Sequence, residues 1–288
     1  MTSFLDRTVL VTGASRGIGL AAAWRFAELG ASVGMVARDP DRLAAAARRL
    51  PGRAHAVAAD LTDPAQCRHV VDEVQAALGP VDVLVSCAGV LHRDFVEDIS
   101  VEAFEQSYRL HAGAALWLSQ RVLPGMRRRD EGAIVIVSSE LGLIGVPTYG
   151  AYCASKWAMV GLTESLQHEL AGTGVHASVI CPGDVRTDQL AEEWAWGPTG
   201  GSSYETAMDP DRVAEAIVRA AAGGEPLVIV DTPRLRLLFR LMAGPRRMRF
   251  GPVHAAFERL LRERRPRALS PAPDADAAEI PRAPTRAR

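Results

Sequence analysis

The sequence predicts an α/β fold: a single doubly wound domain with a parallel seven-stranded sheet, followed by a C-terminal helical extension. Three observations predict it. Short apolar, β-branched runs alternate with helical stretches as far as Val230, the pattern of parallel strands joined by right-handed crossovers. The first of those runs opens directly into a glycine-rich turn and then a helix. The chain has 288 residues, 48% hydrophobic and 23% charged, which suits one large α/β domain.

Taken in order, Arg7–Thr12 reads as the first strand and leads into Gly13-Ala14-Ser15-Arg16-Gly17-Ile18-Gly19. Leu20–Leu29 reads as the helix behind that turn, and Gly30 ends it. Strand, turn and helix N-terminus together make a cradle for a pyrophosphate, held by exposed N–H groups and the positive end of the helix dipole. The spacing is Gly-x-x-x-Gly-x-Gly rather than Gly-x-Gly-x-x-Gly. Ala31–Ala37 is a second buried strand, and Arg38 follows it. A carboxylate at that strand end suits a ribose 2′-hydroxyl, whereas an arginine suits a 2′-phosphate. Arg38 and Arg16, with no carboxylate at the position, favour NADP(H) over NAD; the alternative is that Arg38 pairs with Asp39 or Asp41 as a solvated loop charge.

The alternation repeats. Asp41–Leu50 reads helical, Ala54–Ala59 extended, Pro64–Leu78 helical and Val81–Val85 extended. Asp60, followed by Leu61, closes the third strand, where a carboxylate can accept from an adenine amino group. Cys87-Ala88-Gly89 closes the fourth with another small-residue turn. Helices over Val101–Leu110 and His111–Arg128 precede a fifth strand, Ala133–Val137. A helix over Ala151–Leu170, a sixth strand over Val175–Ile180 and the exit Cys181-Pro182-Gly183-Asp184-Val185-Arg186-Thr187 follow. Residues 188–209 read as an irregular lid, whose Trp194, Trp196 and Tyr204 suit an apolar substrate or the loop's own packing. Pro210–Ala222 reads as a helix and Leu227–Val230 as the last strand, so the domain spans 1–231.

The chemistry centres on Ser139, Tyr152 and Lys156. A spacing of four puts Tyr152 and Lys156 one helical turn apart on one face. An ammonium there favours phenolate, so the tyrosine can exchange a proton with an oxyanion near neutral pH. Ser139, at the end of the fifth strand, can donate a hydrogen bond to the same oxygen. Tyr149 is a control: its fourth neighbour is Cys153, so it lacks the cation.

Other classes of function are weakened by composition. A net charge of -1 gives no field to recruit nucleic acid or an anionic membrane. Four scattered cysteines without a Cys-x-x-Cys pair read as reduced thiols, and the expected location is cytoplasmic. The six residues before the first apolar run leave no room for a targeting segment, and no run is long enough to span a bilayer. The seven histidines are dispersed, and no metal is expected. Beyond the domain, Leu235, Leu238, Phe239 and Met242, then Val253, Ala256, Phe257, Leu260 and Leu261, mark two amphipathic helices with arginine-rich polar faces. This extension, 232–265, packs on the domain or a partner subunit, or docks weakly at a membrane interface. A Pro- and Ala-rich tail over 266–288 reads as disordered.

Thr12-Gly13-x-x-x-Gly17-x-Gly19, Ser139, Tyr152-x-x-x-Lys156 and Pro182-Gly183 fall in an order and spacing that resemble the short-chain dehydrogenase/reductase family. The resemblance covers roughly the first 230 residues and implies a Rossmann-type domain. It further implies that Tyr152 is the general acid/base, that Ser139 orients the substrate carbonyl, and that Lys156 holds the nicotinamide ribose. Val185 and Thr187 would contact the nicotinamide carboxamide. The glycine loop with Ser15 and Ile18, the strand ends at Leu61 and at Cys87, Ala88 and Gly89, and Pro182-Gly183 would complete the cofactor site. A homodimer or homotetramer is implied as well.

Two positions depart from the family pattern. Cys87 replaces an asparagine whose amide ties neighbouring strands. His111 stands where the family usually has an asparagine that holds a water relaying protons to the lysine. An imidazole can take that part because it titrates near neutrality, or it can block the water. Within the family, Cys87 to Glu193 is similar to 3-ketodihydrosphingosine reductases, which suggests a long-chain lipid ketone. The expectation is an NADP(H)-dependent oxidoreductase interconverting a ketone and a secondary alcohol, on a lipophilic small molecule. The alternative, a non-catalytic dinucleotide-binding redox sensor, has no need of Tyr152.

Overall fold

A computed structural model of the chain describes residues 3–195 and 207–231. The apolar runs form β1 (Thr8–Thr12), β2 (Ser32–Ala37), β3 (Ala54–Ala58), β4 (Val81–Ser86), β5 (Gly132–Val137), β6 (Val175–Pro182) and β7 (Leu227–Val230). All pair in parallel, in the order β3-β2-β1-β4-β5-β6-β7. The chain leaves β1 toward β2 and later returns to place β4 on its other side. That reversal opens a crevice at the C-terminal ends of β1 and β4, where such sheets bind ligands.

The helices are α1 (Gly17–Glu28), α2 (Pro40–Ala47), α3 (Pro64–Leu78), α4 (Val101–Tyr108), α5 (Ala114–Arg129), α6 (Gly150–Leu170), α7 (Asp188–Ala195) and α8 (Pro210–Gly223). Three of them begin at an Asp-Pro pair. The carboxylates of Asp39, Asp63 and Asp209 accept first-turn N–H groups, and the proline that follows has no N–H to leave unpaired.

Alternate strand residues feed opposite faces of the sheet. Val9, Val11, Val83, Val85 and Val135 pack with Phe26 of α1, Leu43 of α2 and Ile217 of α8. Leu10, Leu84, Ile134 and Ile136 pack with Val70 of α3, Leu118 of α5 and Met159 of α6. Covered on both faces, the strands are apolar over most of their length, as a parallel sheet requires.

Two elements differ from the sequence reading. The expected boundary between helices at His111 is instead a π-helical turn, Arg109–Gly113, that joins α4 to α5. The wider turn directs Leu110, His111, Ala112 and Gly113 all inward. The lid expected to be irregular over 188–209 begins with a helix, α7. The Thr187 hydroxyl accepts the Leu190 N–H at 3.3 Å, and Asp188 adds an acid to the first turn, so the segment carries its own start signal. The base of this excursion is clamped: Met208 N–H donates to the Asp184 carbonyl at 2.9 Å, and Arg186 N–H donates to Met208 at 2.8 Å. Trp196, Tyr204, the amphipathic helices over 232–265 and the tail lie outside the described residues, as does the side chain of Trp194.

Candidate active site

A cavity of about 740 Å³ occupies the crevice. The sequence-predicted residues Gly13, Ser15, Arg16, Gly17, Ile18, Gly19, Arg38 and Leu61 line one part of it. Cys87, Ala88, Gly89, Ser139, Tyr152, Lys156, Pro182, Gly183, Val185 and Thr187 line the remainder. Two predicted residues are not brought to the wall. The Asp60 carboxylate accepts the N–H and hydroxyl of Thr62 at 3.0 and 2.9 Å, closing a turn of its own. His111 is fully buried behind the wall.

The glycine loop is built for close backbone approach. Gly13 holds φ +68°, a conformation that favours glycine, and a Cβ there would sit 3.0 Å from the Ala88 Cα. A Cβ on Gly19 would collide with the Gly13 carbonyl oxygen. Arg16 occupies the N-cap of α1 but makes no side-chain cap bond, and no acid sits in the first turn. The first N–H groups of a 12-residue helix therefore face the cavity without a side-chain acceptor. A diphosphate fits this cradle both sterically and electrostatically.

The tie expected to be missing at Cys87 is supplied from the next strand. Thr12 Oγ1 accepts the N–H groups of Cys87 and Ala88 at 2.9 and 3.0 Å. It holds the small-residue turn against β1 without a side-chain amide. Burial pushes the Cys87 thiol up to about 12, so it stays protonated.

At the other end of the cavity, Lys156 is 4% exposed and donates to the Val137 carbonyl at 3.1 Å. Its ammonium lies 5.5 Å from the centre of the Tyr152 ring. Burial lowers its pKa to about 8, which leaves it mostly cationic at neutral pH. Ser139 stands at the end of β5, and its Oγ accepts the Leu141 N–H at 3.2 Å, leaving the hydroxyl proton to donate. Acid, cation and donor thus share one cavity, with an apolar wall of Leu91, Leu141 and Val146 beside Tyr152.

His111 differs from the near-neutral titrating group that a proton relay calls for. Ser155 Oγ gives its proton to the Tyr152 carbonyl at 2.8 Å, so it accepts from His111 Nδ1–H at 2.8 Å. His111 Nε2 in turn accepts the Val90 N–H at 3.0 Å. Both ring nitrogens are committed, which assigns the neutral Nδ1–H tautomer. Burial, then the Lys156 charge, then His92 hold its pKa well below the ordinary value. The ring also stands edge-on to Tyr152, with centroids 5.6 Å apart.

Several site residues were not legible beforehand. Tyr149 does have a cation: the Arg93 guanidinium lies 4.7 Å above its ring, brought there where Asp94 pairs with Tyr149. Glu140 and Asp184 line the cavity next to Ser139 and Gly183. Desolvation, then a hydrogen bond and charge repulsion from Asp231, raise Glu140 to about 10, so it is protonated at neutral pH. Desolvation and Asp231 also raise Asp184. Arg42, in the first turn of α2, joins Arg16 and Arg38 on the wall. Asp39 and Asp41, the alternative partners for Arg38, form no ion pair with it, and the Asp39 carboxylate caps α2 instead.

This arrangement defines a dinucleotide-binding oxidoreductase. The model of the family "short chain dehydrogenase" matches residues 7–197. The chain is 33% identical to ketoacyl reductase HetN of Nostoc sp., over 84% of this chain and 85% of that protein. It is 34% identical to the 3-ketodihydrosphingosine reductase of Bos taurus, over 75% of this chain and 68% of that protein. A short chain dehydrogenase/reductase from Burkholderia phymatum, solved in complex with NAD, superposes with a TM-score of 0.75 at 26% identity, over 84% of this chain and 94% of that one. The chain belongs to the short chain dehydrogenase family and is an oxidoreductase acting on carbonyl or alcohol groups. Among the described residues, no helix is long and apolar enough to cross a membrane, and no cluster of side chains is suited to hold a metal.

Proposed function

We propose that the chain reduces a lipophilic ketone to a secondary alcohol, or runs the reverse reaction, with NADP(H). The observation that carries this reading is one cavity lined both by the uncapped N-terminal turn of α1 and by Ser139, Tyr152 and Lys156. When bound, a nicotinamide dinucleotide supplies or takes the hydride. The chain's own residues do the rest. The α1 N–H groups and the glycine turn hold the diphosphate. Val185 and Thr187 would contact the carboxamide, and Lys156 would hold the ribose. Ser139 Oγ–H donates to the substrate oxygen and fixes its direction. Tyr152 gives its phenolic proton to that oxygen in reduction and takes it back in oxidation, while the Lys156 charge favours the phenolate that remains. His111 acts as a brace: through Ser155 it fixes the Tyr152 backbone, and through Val90 it fixes the wall at Gly89.

NADP(H) is favoured by three arginines at the adenosine end, Arg16, Arg38 and Arg42, against the carboxylate that a free 2′-hydroxyl would call for. The apolar wall of Leu91, Leu141 and Val146 favours a lipophilic substrate. A narrower reading, a long-chain ketone of the 3-ketosphinganine type, is favoured by the similarity to the 3-ketodihydrosphingosine reductase of Bos taurus. Half-exposed Leu116 of α5 and Trp157 of α6 favour a homo-oligomer.

The test is ketone-dependent oxidation of NADPH by the purified protein. The substrates would be a plain long-chain ketone, a β-ketoacyl thioester and a long-chain amino ketone, each run with wild type and Tyr152→Phe. Turnover by wild type and not by the variant supports the reading. Equal cellular function of the Tyr152→Phe variant, with no turnover of any ketone, would favour the sensor reading instead.

A further inference from the structure

The arginines of the adenosine rim are already occupied by anions of the chain itself. Asp188 Oδ2, at the first position of α7, lies 3.4 Å from Arg16 Nη1 and 3.1 Å from Arg42 Nη2. One carboxylate oxygen therefore sits between two guanidiniums, as a phosphate oxygen would. One turn on, Glu192 Oε1 lies 3.2 Å from the same Arg16 Nη1. Arg38 forms no ion pair among the described residues. Arg16, Arg38, Arg42 and Asp188 all line the cavity.

We infer that Asp188 and Glu192 on the lid helix compete with a 2′-phosphate for Arg16 and Arg42, and so set how strongly the chain discriminates between phosphorylated and unphosphorylated dinucleotides. The inference rests on the NADP(H) reading above. A phosphomonoester brings close to two negative charges at neutral pH, against one for each carboxylate. It takes both guanidiniums only if the two carboxylates release them, and it then faces those carboxylates as like charges. A dinucleotide with a free 2′-hydroxyl makes no such exchange. Every member of the network is exposed, with side-chain accessibilities of 41% for Arg16, 50% for Arg42, 51% for Asp188 and 69% for Glu192. Exposed pairs are individually weak, so a phosphate can displace them. Arg42 and the two acids are thereby specificity-determining residues.

The experiment titrates NADPH and NADH, by the fluorescence of the reduced nicotinamide, into the full chain and its Asp188→Asn/Glu192→Gln double variant. The expected result is NADPH binding tightened about threefold to tenfold, with NADH changed less than twofold. Arg42→Gln should weaken NADPH alone, and the two acid substitutions should have a smaller effect in that background than in wild type. Unchanged or weaker NADPH binding by the double variant, or equal tightening of both dinucleotides, overturns the inference. The cofactor reading has its own separate failure: an Arg38→Ala variant that binds NADPH as tightly as wild type.

Discussion

The two ends of the cavity hold their cations in opposite ways. Lys156 is 4% exposed, bonded to a main-chain carbonyl and flanked by Cys87 and Cys181, whose thiols burial keeps protonated. Behind it the Val90, His111, Ser155 and Tyr152 chain leaves no donor or acceptor to exchange. Arg16 and Arg42 stand half in water, paired with acids of α7 that a stronger anion can replace. Buried groups with unique partners fix geometry, which bond-making needs. Exposed, exchangeable pairs fix only charge, which suffices to choose between ligands. On the proposed function, chemistry and selection fall at different ends of one crevice, and each can be broken without the other.

The largest expected effect is at the catalytic end. Tyr152→Phe should lower kcat by about 10²- to 10⁴-fold, the range of a lost general acid, with the NADPH dissociation constant held within threefold. A steady-state assay alongside a binding titration checks both halves. His111→Ala removes a ring that is buried and twice bonded, so it should cost about 3 kcal/mol in denaturant unfolding. His111→Asn should leave the pH–rate profile of wild type unchanged, because His111 does not titrate near neutrality. A new or lost ionisation in that variant would restore it as a proton relay.

At the rim, Arg38→Ala should weaken NADPH binding by about tenfold, the worth of one phosphate contact, and leave NADH alone. The pH dependence sharpens the comparison further. Lys156 is held at about 8, so kcat/KM for ketone reduction should fall as pH rises through that value and the ammonium loses its proton. The smallest effect is at Glu140. Its folded pKa is raised to about 10, so its contribution to stability is full below the ordinary carboxylate pKa and is lost as pH rises from there to about 10. Glu140→Gln should therefore gain stability relative to wild type at pH 9 compared with pH 5, read by thermal unfolding in matched buffers.

What the sequence made legible follows the same division. Strand and helix order came from alternating apolar runs and the glycine-rich turn, both local signals, and the sheet has the expected seven parallel strands. Ser139, Tyr152 and Lys156 were legible because one strand end and one helix turn carry all three. The His111 brace was not, since its partners Val90 and Ser155 lie 21 and 44 residues away and are ordinary residues in their own segments. The replacement tie at Thr12 was hidden in a motif read for its glycines. Helix α7 was masked by the Gly- and Trp-bearing half of the segment that follows it, although Thr187 and Asp188 start it in the usual way. Arg42, Glu140 and Asp184 reach the cavity only through the fold, and no spacing announces them.

The most direct measurement is single-turnover ketone reduction at saturating NADPH, with wild type, Tyr152→Phe and Arg38→Ala side by side. Division of labour predicts a wild-type rate for Arg38→Ala once the cofactor is saturating and a rate at least about 100-fold lower for Tyr152→Phe. A slow Arg38→Ala enzyme at saturation, or a Tyr152→Phe enzyme at the wild-type rate, would contradict it.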